Sequence, residues 1–115
     1  MVENCIFCQI VAGNATAEVV YQDDQVTAFR DQHPAAPVHL LIVPNRHITS
    51  LNRISEEDEA LLGHLIVVAR RLAEQNQISQ SGYRLILNTG PDAGQTVFHL
   101  HLHLMGGRQL TGLTR

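Results

Sequence analysis

The sequence has no block of basic residues and few charges of either sign. Lysine and arginine together number 8 against 11 aspartates and glutamates, which gives a formal net charge of −3 at pH 7. Proteins that bind nucleic acid usually present a clustered basic patch. Nucleic acid is therefore excluded as the main partner. A single nucleotide is not excluded, because backbone N–H groups and imidazoles can hold one phosphate.

The sequence also lacks a membrane segment and a secretion signal. No apolar run approaches the roughly 20 residues that cross a bilayer, and the first residues have neither the basic nor the apolar region of a signal peptide. We therefore expect a cytoplasmic protein with no membrane partner, whose two cysteines are reduced. The length of 115 residues predicts one domain, over residues 1–115.

What the sequence does have is a run of three histidines that alternate with leucines near its C-terminal end, at His99, His101 and His103. Period-two alternation predicts a half-buried strand, with the leucines in the core and the imidazoles together on the other face, about 6.6 Å apart. The glycine pair Gly106-Gly107 then ends the strand.

Three interpretations of these imidazoles are open. They form a polar outer face, a metal site or a catalytic strand. Imidazole changes charge near neutral pH and serves as nucleophile, acid, base or metal ligand. Because histidine is rare and other residues fill a solvated face equally well, the catalytic strand is favoured.

Periodicity and turn residues predict the remaining elements. A short helix over Cys5–Ala12 follows an N-cap at Asn4, and a long helix begins after the capping residue Ser55. His64 lies on the long helix outside any motif, and no special role is expected for it. Strands are predicted at Glu18–Tyr21, Gln25–Arg30, His39–Val43, Tyr83–Asn88 and His99–Leu104. The fold class is therefore α+β, with an antiparallel sheet of about five strands, a short N-terminal helix and one long helix.

Cys5 and Cys8 form a Cys-x-x-Cys pair on the short helix, and its meaning stays open. The pair is either two reduced, partly buried thiols, or a redox pair, or half of a zinc site. The redox interpretation is disfavoured because no βαβ pattern surrounds the pair. A structural zinc takes four cysteine or histidine ligands, so two histidines would have to complete the site.

Further candidate residues flank the histidine run. Asp31 closes a strand beside a loop with two prolines, where its carboxylate accepts hydrogen bonds either from a ribose diol or within a turn. The glycine-bearing loop Thr89–Gln95 leads into the histidine run, and its backbone amides can reach an anion. Three apolar side chains form either a purine slot or ordinary core: Phe7, Ile10 and Phe29.

The segment from His99 to Met105 fits the pattern His-φ-His-φ-His-φ-φ, with φ apolar, and so resembles the signature of the histidine-triad superfamily. Flanking pieces, in order over nearly the whole chain, resemble its Hint branch, the purine nucleoside phosphoramidases. These pieces are Phe29-Arg30-Asp31 with Pro34, Ala36-Pro37-Val38-His39, Pro44 to His47-Ile48, Gly82-Tyr83-Arg84, Gly94-Gln95 and Gly106-Gly107-Arg108.

The resemblance implies the histidine-triad fold and the hydrolysis of purine nucleoside 5′-phosphoramidates through a nucleotidyl-histidine intermediate. His101 would be the nucleophile, His99 and His103 would surround the phosphate, and His39 would orient the catalytic imidazole. Asp31 would hold the ribose of an AMP-like nucleotide. The full set of implied nucleotide-binding residues is Phe7, Ile10, Phe29, Asp31, Gln32, Asn88, Gly94, Gln95, Thr96, Val97, His101 and His103.

The resemblance also bears on metal and assembly. Catalysis requires no cofactor, but some bacterial members complete a structural zinc at the positions that match Cys5, Cys8, His47 and His99. Members of the Hint branch are homodimers that share a continuous sheet, and a homodimer is accordingly implied here.

Other functions remain open beside this one. Histidine at the third triad position, His103, favours a hydrolase over the nucleotidyl-transferase branch, which has glutamine there. The alternatives are a dinucleoside polyphosphate hydrolase of the same superfamily, a nucleotide-binding or scaffold protein whose catalysis is incidental, and a zinc-binding structural module.

Overall fold

The computed structural model describes Val2 and residues 4–112. Two helices and five strands follow one another along the chain: α1 (Ile6–Val11), β1 (Val19–Gln22), β2 (Val26–Arg30), β3 (Val38–Pro44), α2 (Glu59–Gln75), β4 (Tyr83–Ile86) and β5 (Leu102–Gly106). Single turns of 3-10 helix lie in the connections, at Leu51–Arg53, Glu56–Asp58 and Pro91–Ala93. The α+β class is confirmed. Neither helix of this described part is long and apolar enough to cross a membrane.

The five strands form one antiparallel sheet in the order β1-β2-β3-β5-β4. At its centre, β3 pairs with β5 in a register that sets Leu40 opposite Leu104 and Leu41 opposite His103. Successive residues of a strand face opposite sides of the sheet. Leu104 therefore faces the same side as Leu40, while His103 shares the other side with Leu41.

The two faces of the sheet carry two separate cores. Helix α2 packs on one face through Leu65, Val68, Ala69 and Leu72, against a cluster that includes Ala28, Leu40, Ile42, Leu102 and Leu104. Helix α1 covers the other face in a smaller cluster of Cys5, Phe7, Cys8, Ile10, Phe29, Leu41 and Val43. The leucines after His101 and His103 thus enter the α2 core, as the period-two pattern predicts, and the imidazoles are left to the α1 face.

A polar cluster fastens α2 to the β1–β2 hairpin. The carboxylate of Asp23 accepts hydrogen bonds from the Tyr21 hydroxyl at 2.6 Å and from the backbone N–H groups of Gln25 and Val26, both at 2.8 Å. His64 Nε2 of α2 lies 2.7 Å from the same carboxylate. Partial burial alone would raise the pKa of Asp23, but these hydrogen bonds outweigh it and hold the pKa well below its usual range. His64, which lies outside any motif, thus has a structural contact in this cluster.

Several predicted boundaries are also wrong. Strand β5 begins at Leu102, so His99, Leu100 and His101 precede it; Leu100 N–H donates instead to the Ile48 carbonyl at 2.7 Å. Strand β4 ends at Ile86, two residues before Asn88. The N-cap of α1 is Cys5, whose Sγ accepts from the Cys8 N–H, and not Asn4. In addition, Ser55 caps a 3-10 turn that precedes α2.

Candidate active site

A cavity of about 450 Å³ opens on the α1 face of the sheet, beside His101 and His103. Its walls come from α1, β2, the loop after β2, β3 and the segment before β5. The cavity is lined by most of the implied nucleotide-binding residues: Phe7, Ile10, Phe29, Asp31, Gln32, Asn88, Gly94, Thr96, Val97, His101 and His103. His39 lines it as well. The cavity therefore brings together residues that lie far apart in the sequence, from α1 to β5.

The imidazole of His101 is held in one tautomer by the backbone. Its Nδ1 lies 2.8 Å from the carbonyl oxygen of His99, and because a carbonyl only accepts, Nδ1 carries the hydrogen. Nε2 is then the ring nitrogen with the lone pair. Burial lowers the pKa of His101 and outweighs the opposing effects of the His99 carbonyl and Asp31, which favours the neutral ring. A neutral imidazole with a fixed lone pair is the form that attacks an electrophile.

The imidazoles of His39 and His103 are joined by a hydrogen bond whose direction is also fixed. The backbone N–H of Ala35 donates to His39 Nδ1 at 3.0 Å, so the hydrogen of the neutral ring is on Nε2. This Nε2 lies 2.9 Å from His103 Nδ1 and 3.3 Å from Asp31 Oδ2. His103 Nδ1 therefore accepts, and the hydrogen of a neutral His103 is on its Nε2. The expectation that His39 orients the nucleophilic ring changes accordingly, because its hydrogen bond goes to His103 rather than to His101.

Asp31, His39 and His103 bring three ligand atoms within 4.8 Å of one another, a spacing that a metal ion could bridge. The hydrogen bond from Ala35 argues against such a site. Metal binding at His39 Nε2 would require the lone pair there and would move the hydrogen to Nδ1, where it would face the Ala35 N–H. The three residues fit a directed hydrogen-bond network better than a metal site.

A second cluster of ligand atoms lies beside the cavity and contains the four implied zinc ligands. His99 Nδ1 is 3.3 Å from Cys5 Sγ and 3.5 Å from Cys8 Sγ, and His47 Nδ1 is 3.3 Å from Cys8 Sγ. All four ligand atoms lie within 4.8 Å of one another. A tetrahedral zinc with its usual bond lengths separates sulfur and nitrogen ligands by about 3.6 Å. The donor set therefore fits zinc in both chemistry and spacing.

The protonation of His99 agrees with a ligand role. Its Nε2 lies 2.8 Å from the Pro44 carbonyl and so donates to it, which leaves the lone pair on Nδ1, toward the thiols. Burial, as the main cause, lowers the pKa of His99 to about 4, so the ring is neutral at pH 7. Burial also raises the pKa of the Cys5 thiol. The His99 ring belongs to this cluster and does not line the cavity, so it does not lie where the phosphate was expected to be surrounded.

Gln95 is the one implied nucleotide-binding residue that does not line the cavity. Its side chain is buried, and its Nε2 donates to the carbonyls of Thr49 at 2.8 Å and Val97 at 3.1 Å. Its Oε1 accepts from the Gly90 N–H at 2.8 Å. The amide is thus fully engaged in fastening the loop before β5 and has no hydrogen left for a phosphate.

Some lining residues were not singled out from the sequence. His33 lies on the rim, and its backbone N–H donates to Asp31 Oδ1 at 2.9 Å. Ile6, Ala17, Arg30, Ala35 and Leu41 also line the cavity. His33 lies two positions after Asp31, and a histidine so near that carboxylate is a signal from which the sequence could have predicted it. Ala35 gives no side-chain signal at all, because it acts through its backbone.

Comparison with known proteins finds similarity over nearly the whole chain. The model of the HIT domain family matches residues 12–110. The chain is 51% identical over 110 residues to the purine nucleoside phosphoramidase of Escherichia coli strain K12, covering 96% of this chain and 92% of that protein.

Solved structures show the same architecture. A HIT family hydrolase from Legionella pneumophila superposes with a TM-score of 0.94 at 45% identity, over 97% of this chain and 100% of that one. A zinc-bound histidine triad family protein from Mycobacterium smegmatis superposes with a TM-score of 0.79 at 32% identity, over 91% of this chain and 76% of that one.

Proposed function

The chain belongs to the HIT domain family, and from this membership we propose that it is a hydrolase that cleaves the P–N bond of purine nucleoside 5′-phosphoramidates. The observation that carries the proposal is the tautomer of His101, whose Nδ1–H is bound to the His99 carbonyl at 2.8 Å. This bond leaves a neutral Nε2 lone pair on a residue that lines the cavity, next to a second imidazole, His103, whose ring centroid is 5.1 Å away. The name of the Escherichia coli relative supports the choice of substrate.

The reaction proceeds in two displacements at phosphorus. His101 Nε2 attacks the phosphorus, a bond forms between them, and the P–N bond to the amine breaks as that nitrogen takes up a proton and leaves. The nucleotidyl ring carries a positive charge, because Nε2 is bonded to phosphorus and Nδ1 keeps its hydrogen. The His99 carbonyl accepts a hydrogen bond from this Nδ1–H and so stabilises the positive charge. Water then attacks phosphorus and loses one proton to solvent, which balances the proton that the amine took up; the P–Nε2 bond breaks, and the nucleoside monophosphate is released with a neutral His101.

The remaining residues of the cavity bind the substrate and stabilise charge. His103 presents an Nε2–H donor, which suits the negative oxygens of the phosphoryl group. Asp31 stands at the rim with a carboxylate that can accept hydrogen bonds from the ribose hydroxyls. Phe7 and Phe29 meet edge to face with their centroids 5.3 Å apart and, with Ile10, form an apolar slot for a purine.

A structural zinc is part of the proposal. Cys5, Cys8, His47 and His99 would hold it, and the ion would join α1 to the segments that follow β3 and precede β5. No step of the reaction passes through the metal, and the reaction needs no cofactor. Thiols remain available as ligands only in a reducing compartment, so we place the protein in the cytoplasm.

We also propose a homodimer, in which residues 1–115 form a single histidine-triad domain in each copy. Strand β4 is an edge of the sheet and carries the exposed Tyr83, and α2 carries two exposed apolar side chains, Ile66 and Val67. Unpaired edges and exposed apolar patches favour association. Analytical ultracentrifugation should give the mass of two chains, and Ile66→Glu should shift it toward one.

The proposal is tested by following the hydrolysis of an adenosine 5′-phosphoramidate that carries a fluorogenic amine. We expect turnover by the wild type and a loss of more than about a thousandfold in His101→Ala, which removes the nucleophile. His64→Gln is the matched control, because it changes a histidine outside the cavity and should keep the rate. Turnover of dinucleoside polyphosphates in place of the phosphoramidate would refute the choice of substrate, and AMP binding without any turnover would refute the hydrolase.

A further inference from the structure

Arg108 contacts the loop after β2, at Ala35, which lies 73 positions earlier in the sequence. Its Nη2 donates to the carbonyl oxygen of Ala35 at 2.7 Å, while Nη1 donates to the carbonyl of Gln109 at 3.0 Å. Ala35 is the residue whose own N–H donates to His39 Nδ1. We infer that Arg108 is a positioning residue for the reaction of the proposed function, on which this inference rests: it anchors Ala35 and so keeps His39 and His103 in their active tautomers.

The path of the chain after β5 explains why Arg108 reaches this loop. Gly107 has φ +97°, and a Cβ there would lie 2.9 Å from Pro37 Cβ. A Cβ on Gly106 would lie 2.8 Å from Ile78 Cδ1 and 3.2 Å from the Gly82 carbonyl. Only glycine allows so close an approach with this backbone conformation. Gly106 thus lets the chain lie close to Ile78 and Gly82, and Gly107 lays it against Pro37 at the end of the loop of residues 31–37, which brings the next side chain to the Ala35 carbonyl.

The Ala35 N–H is what distinguishes the two nitrogens of His39. While it donates to Nδ1, His39 must donate from Nε2, and His103 must accept at Nδ1 and carry its hydrogen on Nε2. If Ala35 turns away, His39 can take the opposite tautomer. Its Nε2 then becomes an acceptor, and His103 has to move its hydrogen to Nδ1. The cavity would then meet a lone pair instead of a donor at His103, which repels a phosphoryl oxygen.

A second group supports the same tautomer, so the effect of Arg108 is partial. Asp31 Oδ2 lies 3.3 Å from His39 Nε2 and also favours a hydrogen there. Arg108 is itself exposed, and an exposed hydrogen bond contributes modestly. We therefore expect kcat to fall about threefold to tenfold in Arg108→Ala.

The inference is tested by NMR without substrate and by kinetics with it. In the wild type, the ring nitrogens of His39 should show the Nε2–H tautomer, and the amide of Ala35 should exchange slowly with solvent. In Arg108→Ala the ring nitrogens should shift toward a mixture, and exchange at Ala35 should rise at least about fivefold while amides of the central strands stay unchanged. Arg108→Lys should restore most of both signals, because an ammonium can donate to the same carbonyl. Arg53→Ala, which removes an exposed arginine from the 3-10 turn Leu51–Arg53, should match the wild type.

Two outcomes would overturn the inference: His39 nitrogens and Ala35 exchange that do not change in Arg108→Ala, or changes of equal size in Arg53→Ala. A wild-type kcat in Arg108→Ala would overturn it too, and would leave the proposed function intact. If the wild type hydrolyses no phosphoramidate while the NMR changes occur as expected, the proposed function fails and the positioning of His39 by Arg108 stands.

Discussion

Replacing Asp23 by asparagine tests how the β1–β2 hairpin is held to α2. The substitution keeps the shape and one carbonyl oxygen, which can still accept the N–H groups of Gln25 and Val26. It removes the charge and places an amide where Oδ2 meets the Tyr21 hydroxyl and His64 Nε2. Two donors then face a group that no longer accepts from both.

The size of the effect follows from these two lost bonds. A hydrogen bond to a charged group contributes about 1.5–3 kcal/mol when buried. The side chains of Asp23 and His64 are each 25% exposed, so solvent screening reduces that figure. We expect Asp23→Asn to lower the free energy of unfolding by about 2 kcal/mol at pH 7.

The effect must also depend on pH in a definite direction. Because the folded pKa of Asp23 is depressed, its contribution is complete above the unfolded pKa of about 3.9 and is lost as pH falls toward the folded pKa. The difference between wild type and Asp23→Asn should therefore be about 1 kcal/mol smaller at pH 3 than at pH 7. Urea denaturation followed by far-UV circular dichroism measures it, since the chain has no tryptophan.

A matched control stands at the next position. Asp24 is exposed, and Asp24→Asn should change the free energy of unfolding by less than about 0.5 kcal/mol. A double-mutant cycle with His64→Ala should recover a coupling of about 1 kcal/mol between the two side chains. Equal effects of the Asp23 and Asp24 substitutions, or a difference that does not shrink at pH 3, would refute the reasoning.

Three further predictions concern the site. Cys8→Ser should abolish zinc binding, measured by metal analysis, because Cys8 Sγ faces both His47 and His99. A chelator should lower the melting temperature of the wild type and leave that of the variant unchanged. Phe7→Ala should weaken AMP binding about tenfold, measured by calorimetry. An unchanged affinity would contradict purine binding between Phe7 and Phe29. Gln95→Ala should cost about 2 kcal/mol in urea denaturation, since it leaves the Gly90 N–H and two carbonyls without their partner; a cost below about 0.5 kcal/mol would contradict this account of the loop.

The sequence predicts best where one local pattern decides the structure. The alternation around His101 and His103 fixes which face each side chain takes, because the period of a strand is two, and the sheet has the leucines on the α2 face accordingly. The class, the sheet of five strands and the two helices follow from similar local periodicities. The resemblance of the whole motif to a family then implied roles that periodicity cannot give, and these roles stay predictions.

The sequence predicts least where a contact joins distant segments. His99 is in step with the other two histidines, but its ring turns to Cys5 and Cys8, which lie 94 and 91 positions away. Gln95 has the polarity of a ligand-binding residue, yet its amide is hydrogen-bonded to backbone groups of its own loop and of Thr49. Such outcomes depend on tertiary packing, which no window of sequence contains.

The carbonyl of His99 has a consequence for how this site would respond to mutation. Residue 99 offers its ring to the cysteine cluster and its carbonyl to His101. Side-chain substitutions at position 99 can therefore alter the first contact while the oxygen that orients the His101 ring remains in the chain. An alanine scan would detect only the contact of the ring with the cysteines. The contact to His101 depends on the path of the main chain, so it can survive sequence changes that remove the cysteine and histidine cluster.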